Sequence, residues 1–419
     1  MKIHFLLEDE GIKGIDLSAP EDGNPGIGGT QFMIVQLAAE LAKKDDFDVS
    51  ILHYREQKLP TSIGSILVKV NVFETLRINK PDVFIFHPNK DESWYRSLDA
   101  LNIKSIAWLH NYISYHDANV FAQCSNIKAA VFVGKQQYDR YIDHNIIYKS
   151  VYIFNFIPEK DILRDNNYKP WVTFIGSLTY PKGFHWISQC WKDIIAAVPE
   201  AQLHIIGSGN LYSRDKANGK YGIASEEYEA LIMPGLTDAN GKILESVVFH
   251  GNLGAEKYNI LKYTAVGIIN PTGETETFGL GAVEMQQLGI PVVTRKKYGL
   301  LDTVAHNHTG ILVTNIEELE RAVICLLVDK NKDRAYGLNA QKFVKKKFDK
   351  KAIIEQWCDL LYAVVSDDFR PMIYLPTDYL TIDMKWLRAF IAVIKKIHFF
   401  KWIPSWGEIC EKIRTITKK

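Results

Sequence analysis

The sequence predicts an α/β protein with two doubly wound domains, each a parallel sheet covered by helices, facing each other across a cleft. A chain of 419 residues exceeds one ordinary core and favours two domains of about 150–200 residues each. Short β-branched runs alternate with amphipathic stretches, and the alternation starts again after a polar, proline-bounded stretch at residues 158–170. We therefore expect an N-terminal domain over residues 1–157 and a second domain over residues 158–345.

The N-terminal domain is predicted to begin with a buried strand that leads into a helix. The helix follows from apolar residues at helical spacing, and Thr30 is a suitable N-cap for it. Residues 8–27 form a long loop rich in Gly, Pro and Asp, and loops of that length are usually functional or mobile. The predicted strands of this domain are residues 2–7, 48–53, 83–87, 104–110 and 129–133.

The second domain is predicted to repeat this pattern. We expect one or two helices over residues 339–365 to complete it, with residues 346–365 as the closing helix, and residues 366–419 to form a separate tail. The predicted strands of this domain are residues 171–175, 203–206, 247–250, 267–270 and 291–294.

The composition excludes several classes of protein. With 47% hydrophobic and 24% charged residues and a net charge of +1, the chain is globular and is not built to coat nucleic acid. Its five cysteines are scattered without metal-ligand spacing, which argues against a disulfide framework or a zinc site. The apolar start is too short for a signal peptide, and no run approaches the ~20 apolar residues that span a bilayer. We expect a cytoplasmic protein without a metal or other cofactor.

The strongest local motif is a Gly-rich turn and helix after the strand that ends at Asn270. The helix is expected to run to about Leu288, where Gly289 is a suitable left-handed cap. In a continuous helix, Glu276 and Glu284 would be separated by ~12 Å of rise and ~80° of rotation. That spacing suits two hydroxyl-rich ends of one elongated ligand, with the helix N-terminus offered to an anionic centre. Alternatively, the acidic residues merely favour a helix start and a solvated face.

This segment resembles the E-x7-E region of retaining GT-B glycosyltransferases, glycosyltransferase family 4 (glycosyl transferases group 1). The resemblance covers roughly residues 1–365. It implies two Rossmann-like domains, a nucleotide-diphosphate sugar as donor and metal-independent transfer with retention of configuration. It further implies that Glu276 contacts the donor sugar and that Glu284 binds the nucleotide ribose. Other substrate-binding residues implied in this segment are Thr277, Phe278, Gly279 and Leu280.

A second motif, Gly176-Ser177-Leu178-Thr179-Tyr180-Pro181-Lys182-Gly183, resembles the family's G-R-x-x-x-x-K-G element. The family's Arg and Lys neutralise the donor diphosphate, and Gly176 and Ser177 lie among the implied substrate-binding residues. Lys182 matches, but Ser177 stands where the arginine is expected. The substitutes open at this point are Arg214, Arg295 and Lys296, and without the family context Lys182 is equally an exposed turn lysine.

Further implied contacts come from glycines and one histidine. Gly28 and Gly29 match a glycine pair that borders the donor phosphates and the acceptor, although a plain flexible loop fits equally. Gly207 matches a glycine near the nucleotide base. His110 follows a strand and matches a histidine that contacts the donor sugar. The resemblance thus implies His110, Lys182 and Glu276 as the catalytic residues.

Two other patterns are interpreted as structural. Asp46-Phe47-Asp48 is literally a D-x-D motif, but it joins a helix to a strand at the amino end of the sheet and is predicted to be a turn. His306-Asn307-His308 has no completing ligand and is predicted to lie on the surface.

The tail is basic and aromatic. Residues 383–419 carry nine Lys or Arg against three acids, with tryptophans and phenylalanines interspersed. Such segments lie in membrane interfaces. The alternative is a helix that docks onto the N-terminal domain.

The predicted function is transfer of a sugar to a glycan or lipid-linked acceptor, in cell-surface polysaccharide or lipopolysaccharide synthesis. The two alternatives are a sugar-nucleotide epimerase of the same architecture and an inactive nucleotide-sugar-binding homologue.

Overall fold

A computed structural model describes residues 1–209, 219–374 and 384–417 of the chain. It contains two parallel sheets, one in each domain, and every strand pair in both sheets is parallel. The sheets are joined by residues 153–170, which form no helix or strand. The predicted α/β class and the two doubly wound domains are therefore confirmed.

The N-terminal domain alternates strands and helices along the chain. Its elements are β1 (Lys2–Leu7), α1 (Gly29–Leu41), β2 (Asp48–His53), β3 (Gly64–Leu67), α2 (Val72–Ile78), β4 (Val83–Phe86), α3 (Glu92–Asp99), β5 (Ser105–Leu109), α4 (Tyr115–Gln123), β6 (Ile127–Phe132), α5 (Lys135–Asp139) and β7 (Ser150–Tyr152).

The second domain and the segments that follow it continue the alternation. Their elements are β8 (Trp171–Ile175), α6 (Phe184–Ala197), β9 (Gln202–Ile206), α7 (Glu226–Ile232), β10 (Val247–Gly251), α8 (Tyr258–Leu261), β11 (Thr264–Ile269), α9 (Leu280–Gln287), β12 (Val292–Arg295), α10 (Leu300–Thr303), β13 (Gly310–Val313), α11 (Ile316–Val328), α12 (Lys330–Lys347), α13 (Lys350–Val365), α14 (Lys385–Ile394) and α15 (Trp406–Thr417).

Both sheets have the strand order of a Rossmann fold. The first runs β3-β2-β1-β4-β5-β6-β7 and the second β10-β9-β8-β11-β12-β13. The central strands are buried along their whole length because helices cover both faces, which explains their continuous apolar runs. In such sheets ligands bind beyond the carboxyl ends of the strands where the order reverses, here between β1 and β4 and between β8 and β11.

Three strands were not predicted from the sequence. β3 is largely exposed, β7 has only three residues, and β13 is four residues long with one partly exposed position. None of them forms a long apolar run, which is the signal that reveals a buried parallel strand.

Two other predictions about local structure were wrong. The helix α1 begins at Gly29 with Gly28 as N-cap, and no side chain caps it, so Thr30 is not the N-cap. The last long helix, α13, does not complete the second domain. Its apolar residues, Trp357 among them, join the core of the N-terminal domain, where the Trp357 ring lies 4.9 Å from that of Trp108. Residues 350–365 therefore cross back and tie the chain to its first domain.

The tail also docks onto the N-terminal domain. Asp143, which is fully buried, forms an ion pair with Arg388 at 3.0 Å and accepts the amide hydrogen bond of Trp406 at 2.6 Å. Lys395 donates to the Asp143 carbonyl at 2.7 Å, and Glu408 accepts from Asn119 at 2.8 Å. The docked arrangement was the alternative left open by the sequence. In the described ranges, no helix combines the length and the hydrophobicity that a bilayer crossing requires.

Candidate active site

The candidate site is a cleft between the two domains, at the carboxyl ends of both sheets. It consists of a pocket of about 200 Å³ and an adjoining pocket of about 620 Å³. Glu8 and His87 extend from β1 and β4, and Gly176 and Asn270 extend from β8 and β11. The cleft thus lies where the strand order reverses in each sheet.

The residues singled out in the sequence meet in this cleft. Six residues line both pockets and so mark their junction: Gly29, Ser177, Lys182, Glu276, Gly279 and Leu280. The smaller pocket adds Gly176, Gly207 and Glu284, and the larger one adds Gly28, His110, Thr277 and Phe278.

An ion pair between Lys182 and Glu276 occupies the junction. The two side chains meet at 2.9 Å, and Glu276 also accepts hydrogen bonds from the Asn270 amide group and the Gly279 backbone N–H, each at 3.0 Å. Burial alone would raise the pKa of Glu276, but Lys182 and these hydrogen bonds outweigh it and hold that pKa below its ordinary value. Glu276 is therefore an ionised acceptor on the cleft wall.

The alternative interpretation was that the acidic residues of this segment are solvated residues without a role in ligand binding. Among Glu274, Glu276 and Glu284, it fits Glu274 only. Glu274 is exposed and pairs with Lys297 at 2.6 Å. Glu276 does support the start of α9 through Gly279, but it also lines the cleft. It lies in the turn before α9, so the span from Glu276 to Glu284 is not the continuous helix from which the spacing was calculated.

Glu284 lies at the far end of the smaller pocket. Its carboxylate pairs with Lys257 at 2.8 Å and accepts from the Tyr258 hydroxyl at 2.7 Å. Only 13% of the Glu284 side chain and 5% of that of Lys257 are exposed, so Glu284 is not a solvated residue. Burial and the adjacent carboxylate raise the pKa of Tyr258, which keeps its hydroxyl a donor.

His110 forms the opposite wall, in the larger pocket. Its backbone carbonyl accepts from the Thr277 hydroxyl at 2.5 Å, a hydrogen bond that joins the two domains. Burial lowers the pKa of its imidazole well below the ordinary value, and His87 adds to the effect. Within the described part of the chain, Nε2 of His110 is buried and has no hydrogen-bond partner. A neutral imidazole with an unsatisfied nitrogen can bind a polar ligand group.

Two glycines let the backbone come close to the cleft. A Cβ at Gly207, where φ is +139°, would collide with the carbonyl oxygen of Gly176. A Cβ at Gly279, where φ is +83°, would lie 2.9 Å from Leu300. Both positions require glycine for conformation and for space. At Gly279, the backbone N–H donates to the Glu276 carboxylate of the ion pair.

Of the three substitutes considered for the absent arginine, the two that the structure describes, Arg295 and Lys296, do not line the cleft. Arg295 lies over the Trp186 ring and donates to the Thr314 carbonyl. Lys296 is also absent from the lining residues, and Arg214 lies outside the described residues. At the position of the expected arginine, Ser177 is buried with its hydroxyl 3.2 Å from that of Thr179.

Several lining residues were missed by the sequence analysis. Lys257 is the clearest, because it brings a second cation, one that is buried, to the smaller pocket. It lies in a short turn without a recognisable motif, so no local signal identifies it. In the larger pocket the missed polar residues include Glu8, Glu10, His87 and Asn111. The only signal for Glu8, His87 and Asn111 is their position at or just after the end of a predicted strand.

The two patterns interpreted as structural lie away from the cleft. Asp46 is in the turn between α1 and β2 and accepts from the Tyr362 hydroxyl at 2.9 Å. Residues 306–308 are exposed, as predicted. Over residues 1–209, 219–374 and 384–417, no three His, Cys, Asp or Glu side chains group as metal ligands.

The sequence of this chain is similar to those of known proteins over part of its length. The family model for glycosyl transferases group 1 matches residues 169–329. A capsular polysaccharide biosynthesis glycosyltransferase, CapM of Staphylococcus aureus, is 24% identical over 187 residues, 44% of each chain. The N-acetyl-alpha-D-glucosaminyl L-malate synthase of Bacillus anthracis is 30% identical over 97 residues, which are 23% of this chain and 26% of that protein. The matches thus span less than half of either relative.

Solved structures share the fold over a longer stretch. Sucrose-phosphate synthase of Thermosynechococcus elongatus superimposes with a TM-score of 0.68 at 16% identity, over 88% of this chain and all of that one. The HepE protein of Anabaena, solved in complex with UDP-glucose, gives a TM-score of 0.61 at 15% identity, over 87% of this chain and all of that one. These superpositions show that the chain has the same two-domain fold as these proteins.

Proposed function

We propose that this chain transfers a sugar from a nucleotide-diphosphate donor to an acceptor hydroxyl. The chain has the GT-B fold, and its second domain matches the model for glycosyl transferases group 1. The observation that carries the proposal is the ion pair of Lys182 and Glu276 at the junction of the two pockets. It places one cation and one ionised acceptor where the two substrates would meet. The smaller pocket then holds the nucleotide and the larger one the acceptor.

The donor would replace contacts that the cleft residues make with one another. The Lys182 ammonium would turn to the diphosphate and release the Glu276 carboxylate to accept from sugar hydroxyls. The first amides of α9 would face the same diphosphate. Glu284 would accept from the ribose hydroxyls, and Nε2 of His110 would find its partner on the sugar.

The reaction would proceed by attack on the face of the sugar that the diphosphate leaves. The bond between the anomeric carbon and the phosphate oxygen breaks, and the acceptor oxygen bonds to that carbon with retention of configuration. The acceptor proton moves to the departing phosphate oxygen. Catalysis rests on positioning and on stabilising the leaving charge, which Lys182 and backbone amides supply without a metal.

Two of the similar proteins support a sugar donor and a polysaccharide context. HepE was solved with UDP-glucose, and CapM is named for capsular polysaccharide biosynthesis. We propose a glycan or lipid-linked acceptor in cell-surface polysaccharide or lipopolysaccharide synthesis, with the protein in the cytoplasm. No observation on this chain favours epimerisation or an inactive homologue.

The test is a calorimetric panel of UDP-, GDP-, CMP- and ADP-linked sugars. We expect one nucleotide class to bind, and the bound donor to be consumed with a glycan acceptor to give a product whose NMR spectrum shows the retained anomer. Conversion of the donor to an epimer without any acceptor would contradict the proposal. So would the absence of binding by every donor.

The role of Glu284 leads to a separate prediction. Glu284→Gln removes the charge that would accept from the ribose, and we expect the affinity for the nucleoside diphosphate to fall about tenfold. Because the change also leaves Lys257 without its anionic partner, the melting temperature is measured beside the affinity. Glu256→Gln, at an exposed position next to Lys257, is the control. Equal affinity of wild type and Glu284→Gln contradicts the assignment.

A further inference from the structure

Helix α14 is docked with its charged residues inward. Its buried positions include Arg388 and Ile391, and Lys395 just beyond its end is buried as well. Trp386, Phe390 and Val393 are exposed. At ~100° per residue, these three lie within ~60° of one another on the side opposite Arg388 and Lys395. A helix that packs on a core normally shows the reverse arrangement.

The inward charges explain why this orientation is stable. Arg388 and Lys395 both bind Asp143, through its carboxylate at 3.0 Å and its backbone carbonyl at 2.7 Å. If α14 were rotated so that its apolar side faced inward, buried Asp143 would lose these partners, at a cost of several kcal/mol for such a pair. The apolar side of α14 is therefore held outward by buried ionic contacts.

Three more large apolar residues are exposed in the segment just beyond α14, namely Ile397, Phe399 and Trp402. We define an apolar ridge as Trp386, Phe390, Val393, Ile397, Phe399 and Trp402. Trp386 is 78% exposed, Phe399 75% and Trp402 74%. Single exposed apolar residues are ordinary, but six large ones within 17 positions on one docked segment indicate an interaction surface.

Basic side chains accompany the ridge. Lys385 lies 5.4 Å from the Trp386 ring, Lys396 is exposed next to Ile397, and Lys401 precedes Trp402. The acidic residues described from residue 384 onwards, Glu408 and Glu411, belong to α15 and not to the ridge. Aromatic rings with flanking lysines match the interface of an anionic bilayer, where tryptophans lie at headgroup depth and lysines meet the negative surface.

We propose that the ridge binds the surface of an anionic lipid bilayer. The surface that carries it is linked to the cleft, since Gly407 of the tail packs on the ring of Tyr115, the first residue of α4. Tyr115 follows Asn111 of the larger pocket by four residues, a reach of at most ~14 Å.

The test is co-sedimentation of the full-length protein with vesicles. We expect binding to phosphatidylcholine vesicles that contain about one-third phosphatidylglycerol, and weaker binding to pure phosphatidylcholine or at high salt. The triple variant Trp386→Ser, Phe390→Ser, Trp402→Ser is expected to reduce the partition coefficient at least about tenfold, because three apolar anchors are lost. Lys396→Gln with Lys401→Gln should weaken the dependence on salt.

Matched controls separate this effect from general hydrophobicity and from unfolding. Ile78→Ser, Val328→Ser and Leu338→Ser remove three apolar side chains that are exposed elsewhere, and vesicle binding should be unchanged. The ridge variant should keep its melting temperature, because its replaced side chains face solvent. Equal vesicle binding by wild type and ridge variant overturns the proposal. It is overturned equally if the wild type ignores vesicles and forms a dimer that the ridge variant dissociates, since a second copy would then be the occupant.

Discussion

Replacing Glu276 by glutamine should reduce sugar transfer by about 10²-fold with little change in nucleoside diphosphate affinity. Glutamine keeps an oxygen for the Gly279 N–H, so the start of α9 is preserved. It loses the charge that strengthens hydrogen bonds to sugar hydroxyls, worth roughly 1.5–3 kcal/mol for each bond to a charged group. The measurement is kcat and KM with the donor identified by calorimetry, together with the affinity for the nucleoside diphosphate alone.

The matched control for this variant is Glu274→Gln. Glu274 lies two positions earlier in the same turn and pairs with Lys297, but it is exposed and does not line the cleft. Its replacement should leave transfer within about twofold of wild type, because exposed ion pairs contribute little. If Glu274→Gln impairs transfer as much as Glu276→Gln, the effect reflects the turn and not a contact with the sugar.

Replacing Lys182 by methionine should reduce kcat by about 10²–10³-fold, as loss of one charge-stabilising donor does in other active sites. The donor should also bind less tightly, because the diphosphate loses its cation. A second effect concerns pH. Lys182 holds the pKa of Glu276 below its ordinary value, so its removal raises that pKa. The acid limb of the residual activity should therefore move to higher pH than in the wild type.

The shift of the acid limb distinguishes electrostatics from misfolding. Lys297→Met removes a lysine that pairs with exposed Glu274, and it should change neither kcat nor the pH profile. A Lys182→Met protein with full activity would contradict the proposed role of the lysine. A protein with reduced activity but an unshifted acid limb would contradict the electrostatic coupling to Glu276.

The two α/β domains were predictable from local patterns, and most of the cleft residues from the resemblance of the motifs to a known family. Parallel strands buried on both faces produce continuous apolar runs, as in β5 and β11, and these runs place His110 and Asn270 at carboxyl ends. Gly279 and Gly289 adopt positive φ, as glycines at such turns do. What escaped prediction was short or exposed, such as β3, or carried no motif, such as Lys257.

The partners across the fold could not be predicted from spacing. α13 follows α12 directly, but its apolar side fits the N-terminal core, which only packing reveals. The tail is a second example of packing that spacing does not predict. Its composition indicated both a basic aromatic surface and a docking helix, and the fold shows docking with the aromatic side chains left outside.

The sequence by itself determined the fold class, because this depends on periodicity and on turns within a few positions. The resemblance of its motifs to a known family indicated most of the residues that face the cleft. The tertiary structure decided which charges meet. Lys182 and Glu276 are 94 positions apart, and Arg388 and Asp143 are 245 positions apart. A charged side chain is buried only where the fold brings its counter-ion next to it, because burying a charge without a counter-ion costs several kcal/mol. Local sequence does not contain that information.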